Sequence, residues 1–413
     1  MHLFLIIALL VIVSAVYSYI NARFLKLPGT IGIMSLAIIG SIITIVIDNL
    51  NPGIARYLTV LAKNINFSST VLNIMLGFLL FATAFNLNVG KLKKEMRPVL
   101  ILSTLGVLIS TAIFGTLLYY ISGWIDIKIP YIYCLLFGAL VSPTDPVAVG
   151  AIIKGSKLPS NLSTIISGES LFNDGIGLVL FITILEVTQS GVKDMDFAKA
   201  ALMFVQEVFG GIAMGAVIGF LAHRLMLSIS DFQTIVLVSL ALVMLNSLLA
   251  TWLHLSIPLS VVTAGLLAGG RTINANNKER SHEALEKFWE LVDEVLNTIL
   301  FVMIGLQMVN LPYIQNYWIT GGIGIVILLA ARWMSIMLPL TFLRRSLNVS
   351  YNNINILTWA GVRGGISIAL ALSLPASDYR HFILSGTYFI VIFSIIVQGL
   401  TLNKVINAFY KNS

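Results

Sequence analysis

Three carboxylates lie where carboxylates are expensive. Asp145, Glu169 and Asp174 fall in the middle of apolar runs long enough to cross a bilayer, and a carboxylate there costs at least about 2.5 kcal/mol on insertion scales. Their neighbours are polar as well. The chain reads Ser142-Pro143-Thr144-Asp145-Pro146 and, after a short basic loop with Lys154 and Lys157, Gly168-Glu169-Ser170-Leu171-Phe172-Asn173-Asp174-Gly175. On a helix Ser170 and Asp174 share a face, as do Glu169 and Asn173, because each pair is four residues apart. Glu169 and Asp174 are five apart, which at 3.6 residues per turn leaves them roughly 140° from one another. The two carboxylates therefore look towards different neighbours and have separate jobs.

Pro143 and Pro146 interrupt the run around Asp145, and a break at Thr144-Asp145 frees backbone carbonyls at membrane depth. Irregular backbone is tolerated there only where it is buried in protein or lines a cavity. Freed carbonyls, the Asp145 and Asp174 carboxylates and the Ser170 hydroxyl make an all-oxygen site. Such ligands suit hard cations, alkali ions as well as calcium and magnesium. A second interruption is Gly361-Val362-Arg363-Gly364-Gly365. Half-helices that end head to head carry opposed partial charges, and Asp145 and Arg363 are the charged residues placed to neutralise them. For Asp145 this leaves two roles open, ion ligand or helix cap.

Arg332, also in mid-run, needs a partner, and Glu169 is the natural one. Removing one member of a buried pair strands the other at about 3–5 kcal/mol. That leaves Asp174 as the carboxylate without a structural partner. Ser142 reads as a local backbone partner. Glu186 and Glu207, nearer the ends of their runs, read as interfacial.

The elements that must hold these residues follow from composition. The chain has 413 residues, of which 58% are hydrophobic and 10% charged; mean hydropathy is +0.95. Soluble domains carry about 25% charged residues, so this is an all-α polytopic membrane protein, a single membrane domain over 1–413 surrounded by lipid. The formal charge of +7 is spread through short loops and is no nucleic-acid footprint. Cys134 is the single cysteine, and the five histidines form no ligand pair, so neither a thiolate cluster nor a transition-metal site is expected. No cofactor is expected. The apolar run 3–20 reads as a retained first span rather than a cleaved leader.

At about 20 apolar residues per span, thirteen stretches can be laid out, the first at 3–20 and the last at 381–402. The ninth, 257–270, is short, and the segment from Gly53 to Lys63 reads as re-entrant or surface helix. Most of the 25 lysines and arginines fall in loops after odd-numbered stretches. By the positive-inside rule the N-terminus is then outside and the C-terminus cytoplasmic. The interrupted stretches are the fifth, 130–152, and the twelfth, 353–374. Each is the fifth of a group of six, the groups being separated by a linking seventh. Matching interruptions in two halves mark a transporter site between inverted repeats. The loop from Arg271 to Glu290 carries Lys278, Glu279, Arg280, Glu283, Glu286 and Lys287 and reads as a solvated extension of the tenth helix.

Thr144-Asp145-Pro146, Glu169-Ser170-Leu171-Phe172-Asn173-Asp174-Gly175 and Gly361-Val362-Arg363-Gly364-Gly365-Ile366-Ser367 resemble the signature motifs of the NhaP-type monovalent cation:proton antiporters. These are relatives of the eukaryotic sodium/hydrogen exchangers. Phe288-Trp289-Glu290 and Phe301-Val302-Met303-Ile304-Gly305-Leu306 are similar to that family too. The resemblance implies a thirteen-helix inverted repeat whose fifth and twelfth helices are discontinuous and cross. It implies an ion-binding core at about 98–187 and 317–402, and a scaffold that forms a homodimer at about 1–90 and 199–309. It further implies that Asp174 takes either cation or proton. Thr144 through its backbone, Asp145 and Ser170 complete a sodium site, Asn173 braces the fifth helix, and Glu169 pairs with Arg332. An Asn-Asp pair at 173–174 implies one-for-one, electroneutral exchange of sodium for protons in the cell membrane, with potassium or lithium as alternatives.

In this reading Asp174 cannot stay charged in the membrane without a proton or a cation, so the two compete and only a loaded carrier moves. Two other classes compete with it. A cation channel would line its path with carboxylates but would conduct without counter-transport. An intramembrane aspartyl protease would use Asp145 and Asp174 as a dyad, but the flanks Thr-Asp-Pro and Asn-Asp-Gly do not resemble that class and Arg332 and Arg363 go unexplained.

Overall fold

The computed structural model describes residues 2–50, 66–124, 128–153, 156–190, 197–269, 279–309, 317–343 and 350–410. Among them every regular element is helical, as a chain in hydrocarbon requires unless it closes into a barrel. Eleven helical segments of the described residues are long and apolar enough to cross a membrane.

In chain order the helices referred to below are α1 (His2–Ile20), α2 (Gly29–Leu50), α3 (Leu76–Phe85), α4 (Val107–Trp124), α5 (Tyr131–Val141), α6 (Pro146–Ile153), α7 (Ser160–Ser190), α8 (Phe197–Ser228) and α9 (Phe232–Trp252). They continue with α10 (Ile257–Gly269), α11 (Glu279–Met308), α12 (Tyr317–Phe342), α13 (Ile354–Trp359), α14 (Gly365–Ser373) and α15 (Arg380–Phe393). Single π turns extend or precede several of them, at Asn21–Leu25, Val71–Met75, Leu102–Gly106 and Ser394–Gln398. Eleven of the thirteen apolar stretches contain these spanning segments; the ninth and twelfth do not. The short ninth is α10, and the interrupted twelfth is α13 with α14. The segment from Gly53 to Lys63 lies outside the described residues. The polar extension of the tenth stretch is helical from Glu279, so α11 is 30 residues long.

Two groups of helices organise the packing. One joins α1, α2, α3, α8, α9, α10 and α11; the other joins α4, α5, α7, α12, α14 and α15. They meet where α7 lies against α8 and α10 and where α6 lies against α2.

Small residues decide the closest contact of the first group. Gly211, Gly215 and Gly219 recur every fourth residue on α8 and face Ser256, Ser260 and Ala264 at the same spacing. A Cβ on Gly219 would stand 2.7 Å from the Ala264 Cα, and one on Gly215 would overlap the Ser260 carbonyl. Helix association in lipid lacks a hydrophobic drive and relies on such backbone approach. Beside this seam, Trp289 on α11 is fully buried. Its ring lies 4.6 Å from that of Phe81 on α3, and its Nε1 donates to Ser239 Oγ on α9 at 3.2 Å. Outward faces are apolar, as with Phe209, Leu248 and Val326, which suits contact with lipid.

Outside the spans, Asp231 caps α9. Its carboxylate accepts from the Thr234 hydroxyl at 2.6 Å and the Thr234 N–H at 2.8 Å. These bonds hold its carboxyl below the ordinary range, the side-chain bond more than the backbone one.

Candidate functional site

The two interruptions meet. The fifth stretch stops at Val141 and restarts at Pro146; the twelfth stops at Trp359 and restarts at Gly365. Where they cross, the Asp145 N–H donates to the Val362 carbonyl at 2.8 Å. Each break thus supplies one of the backbone groups that the other leaves unpaired. The contact requires glycine at 364, because a Cβ there would run into the Asp145 carboxylate.

Asp145 is a helix cap in this arrangement. Its Oδ1 accepts from the N–H groups of Val147 at 2.9 Å and Ala148 at 3.2 Å. It closes the N-terminus of α6, with Pro146 at the first helical position where a missing N–H is harmless. Asp145 is 9% exposed.

Opposite the break, α7 presents its polar face. Ser170 and Thr144 share a hydroxyl–hydroxyl bond of 2.8 Å. Asn173 clasps Thr144 twice: its Nδ2 donates to Thr144 Oγ1 at 2.8 Å, and its Oδ1 accepts from the Thr144 N–H at 3.2 Å. Thr144 is thus tied to α7 through both its hydroxyl and its N–H. Asp174, one turn beyond Ser170, is 2% exposed, and its Oδ2 has no hydrogen-bond partner among the described residues.

Glu169 points elsewhere, as the angular argument requires. It meets Arg332 of α12 in a two-pronged pair, Nη1 to Oε1 at 2.5 Å and Nη2 to Oε2 at 2.8 Å. Both are buried. Arg363 is different: it is fully buried, yet none of its three guanidinium nitrogens has a hydrogen-bond partner among the described residues. It comes up against Gly361 alongside Arg332. Ser142 is engaged with its own helix, donating to the Gly138 carbonyl at 2.7 Å while accepting from Thr111. Glu186 is exposed and Glu207 half-buried.

A cavity, one of the two settings that irregular backbone at this depth allows, lies beside the site. About 610 Å³ of open space lies between the two groups of helices, lined by Pro146, Val147 and Gly150 of α6 and by Ser167 of α7. Its floor therefore adjoins Asp145, and Ser167 is one turn from Ser170. The facing wall is α11, which contributes Glu286, Glu290, Asp293 and Glu294. The solvated face read from the mixed-charge loop covers Glu286 and Glu290 but not Asp293 and Glu294, which fall in the tenth apolar stretch; all four line the cavity. The spacing of these acids was visible, whereas what lay opposite them was not.

Residues 8–408 match the family model described as sodium/hydrogen exchanger, transmembrane. The chain belongs to the sodium/hydrogen exchanger family. Among curated members, the Na(+)/H(+) antiporter NhaP of Pseudomonas aeruginosa is 38% identical over 413 residues, a match covering 98% of this chain and 96% of that protein. The Na(+)/H(+) antiporter NhaH of Halobacillus aidingensis is 30% identical, with 93% of each chain covered. The fold is also that of a solved family structure. The sodium proton antiporter MjNhaP1 from Methanocaldococcus jannaschii at pH 8 superposes with a TM-score of 0.79, over 98% of this chain and 99% of that one, at 20% identity.

Proposed function

We propose that this exchanger carries sodium one way across the cell membrane and protons the other, one for one, with both ions competing for Asp174. The observation that carries the reading is the Asp174 carboxylate itself: 2% exposed, with an oxygen that has no hydrogen-bond partner among the described residues. It lies one turn along α7 from Ser170, which is bonded to the Thr144 hydroxyl in the break. A bare carboxylate there is several kcal/mol from comfortable. Either a proton or a sodium ion relieves that cost, and two ions cannot do so at once.

Asp145, Ser170 and Thr144 supply further oxygens for the sodium ion. Asn173 holds Thr144 in place, Glu169 and Arg332 brace α7 against α12, and Arg363 offsets charge at the crossing. Relatives bearing the name Na(+)/H(+) antiporter at 38% and 30% identity favour sodium over potassium. Alternating access follows from moving the 98–187 and 317–402 core against the 1–90 and 199–309 scaffold, which also makes the homodimer. Thirteen spans in two inverted sixes, N-terminus outside, complete the architecture. The cavity then opens to the cytoplasm.

The test is exchange in proteoliposomes, followed as internal pH on adding sodium. Asp174→Asn removes the titrating group while keeping its shape. We expect no sodium-driven proton flux from a protein that still elutes as a single folded species. Wild-type flux from that variant would end the assignment.

A further inference from the structure

Gln398 belongs to neither break, yet it reaches the second one. The last span changes its winding at a π turn, Ser394–Gln398, between α15 and the helix Gly399–Phe409. Single π turns inside α-helices are frequent at functional sites. Gln398 is 1% exposed, and both ends of its amide are engaged. Ser394 Oγ donates to its Oε1, which leaves Nε2 to donate to the Trp359 carbonyl at the end of α13, 3.4 Å away. Thr401, three residues further along the same helix face, accepts from the Trp359 indole Nε1 at 2.9 Å. The last span therefore grips Trp359 by its carbonyl and by its ring.

That carbonyl stands at a sensitive point. The end of a helix leaves carbonyls without intrahelical partners, and the break after α13 settles most of them locally. Ile356 accepts from the Ala360 N–H at 2.8 Å, Thr358 from that of Gly361 at 3.2 Å, and Ala360 from that of Val362 at 2.8 Å. The Trp359 carbonyl, in the middle of this series, is met by the Gln398 side chain instead. Three residues on, the Val362 carbonyl takes the Asp145 N–H of the other break. A short run of backbone thus links Gln398 to Asp145.

We propose that Gln398 is a positioning residue for the sodium ion: by holding the Trp359 carbonyl it fixes the path of 360–362, and through Val362 the place of Asp145. This rests on the sodium/proton reading of the site. An ion shared among several oxygens needs all of them held to within about 0.5 Å, whereas a proton needs only the Asp174 carboxylate. Loosening the break therefore costs sodium binding and spares proton binding.

The test compares Gln398→Met, which keeps the length of the side chain without its amide, with Ser239→Ala, which removes the buried bond to Trp289 in the other group of helices. Purified full-length protein in neutral detergent is melted with sodium chloride against choline chloride at matched ionic strength. In Gln398→Met the sodium concentration for a half-maximal rise in Tm should increase about tenfold, inside the hundredfold that a 1 Å misplacement can cost. In Ser239→Ala the sodium-free Tm should fall and that concentration should stay. In proteoliposomes Gln398→Met should need correspondingly more sodium for half-maximal exchange at an unchanged maximal rate. Equal shifts in the two variants, or none in Gln398→Met, would reduce Gln398 to packing and overturn the proposal. Should Gln398→Met fail to fold, Ser394→Ala frees the amide without adding bulk and should move the sodium concentration in the same direction; no movement there overturns the proposal as well. A wild-type protein that sodium neither stabilises nor drives to exchange protons would end the exchange reading and this proposal with it, whereas a responsive wild type with an unmoved variant ends the proposal alone.

Discussion

Asp145 has one oxygen committed. Oδ1 receives two N–H groups at the start of α6, so the proposed ion would draw on what remains of the carboxylate. Asn caps a helix as well as Asp does, and the two roles can be separated on that basis. Asp145→Asn should keep the fold, with Tm within a few degrees of wild type, but raise the sodium concentration for half-maximal exchange about tenfold. A large fall in Tm would show that the charge, not the acceptor, holds α6. The Glu169–Arg332 pair makes the opposite case. Glu169→Gln strands a guanidinium 4% exposed, at about 3–5 kcal/mol. The joint replacement Glu169→Leu with Arg332→Met should recover most of that in a thermal melt. Cost alone pointed to this partnership from the sequence. No such argument could find the Thr144 hydroxyl network, because threonine at a break serves equally well through its backbone.

At the scale of elements, the seam between α8 and α10 is the feature with the least tolerance. Gly215→Val should lower Tm by an amount equivalent to at least 1–3 kcal/mol, the usual range for overpacking. Gly123→Ala, at the end of α4 with nothing within 4 Å of the added methyl, should be silent and serves as the control. Equal effects would mean that the seam yields. The sequence did not reveal this seam, since glycine is frequent in membrane helices whatever its neighbours. The breaks were legible for a different reason. Pro143 and Pro146 cannot both continue a helix, and Gly361, Gly364 and Gly365 bracket an arginine that needs burial. Spans were legible because each apolar stretch must pair its own backbone in lipid. The acidic face of α11 was legible as a face only, because periodicity fixes direction and not what stands opposite.

For the whole molecule, the proposed competition at one carboxylate entails no net charge carried per cycle. A clamped potential of 100 mV acts on one elementary charge with about 2.3 kcal/mol, equivalent to a shift of roughly 50-fold in a sodium ratio at balance. We expect the balance point to be unmoved by such a clamp. A shift of that order would require a second titrating group, with Asp145 and Glu169 the first to examine. The crossing of the two breaks also carries its own reporter. The peptide proton of Asp145 bridges to Val362, and it can be replaced by deuterium only when the two segments part. Mass-resolved isotope uptake at that one amide is therefore a clock for separation of the two breaks, readable without any ion being carried.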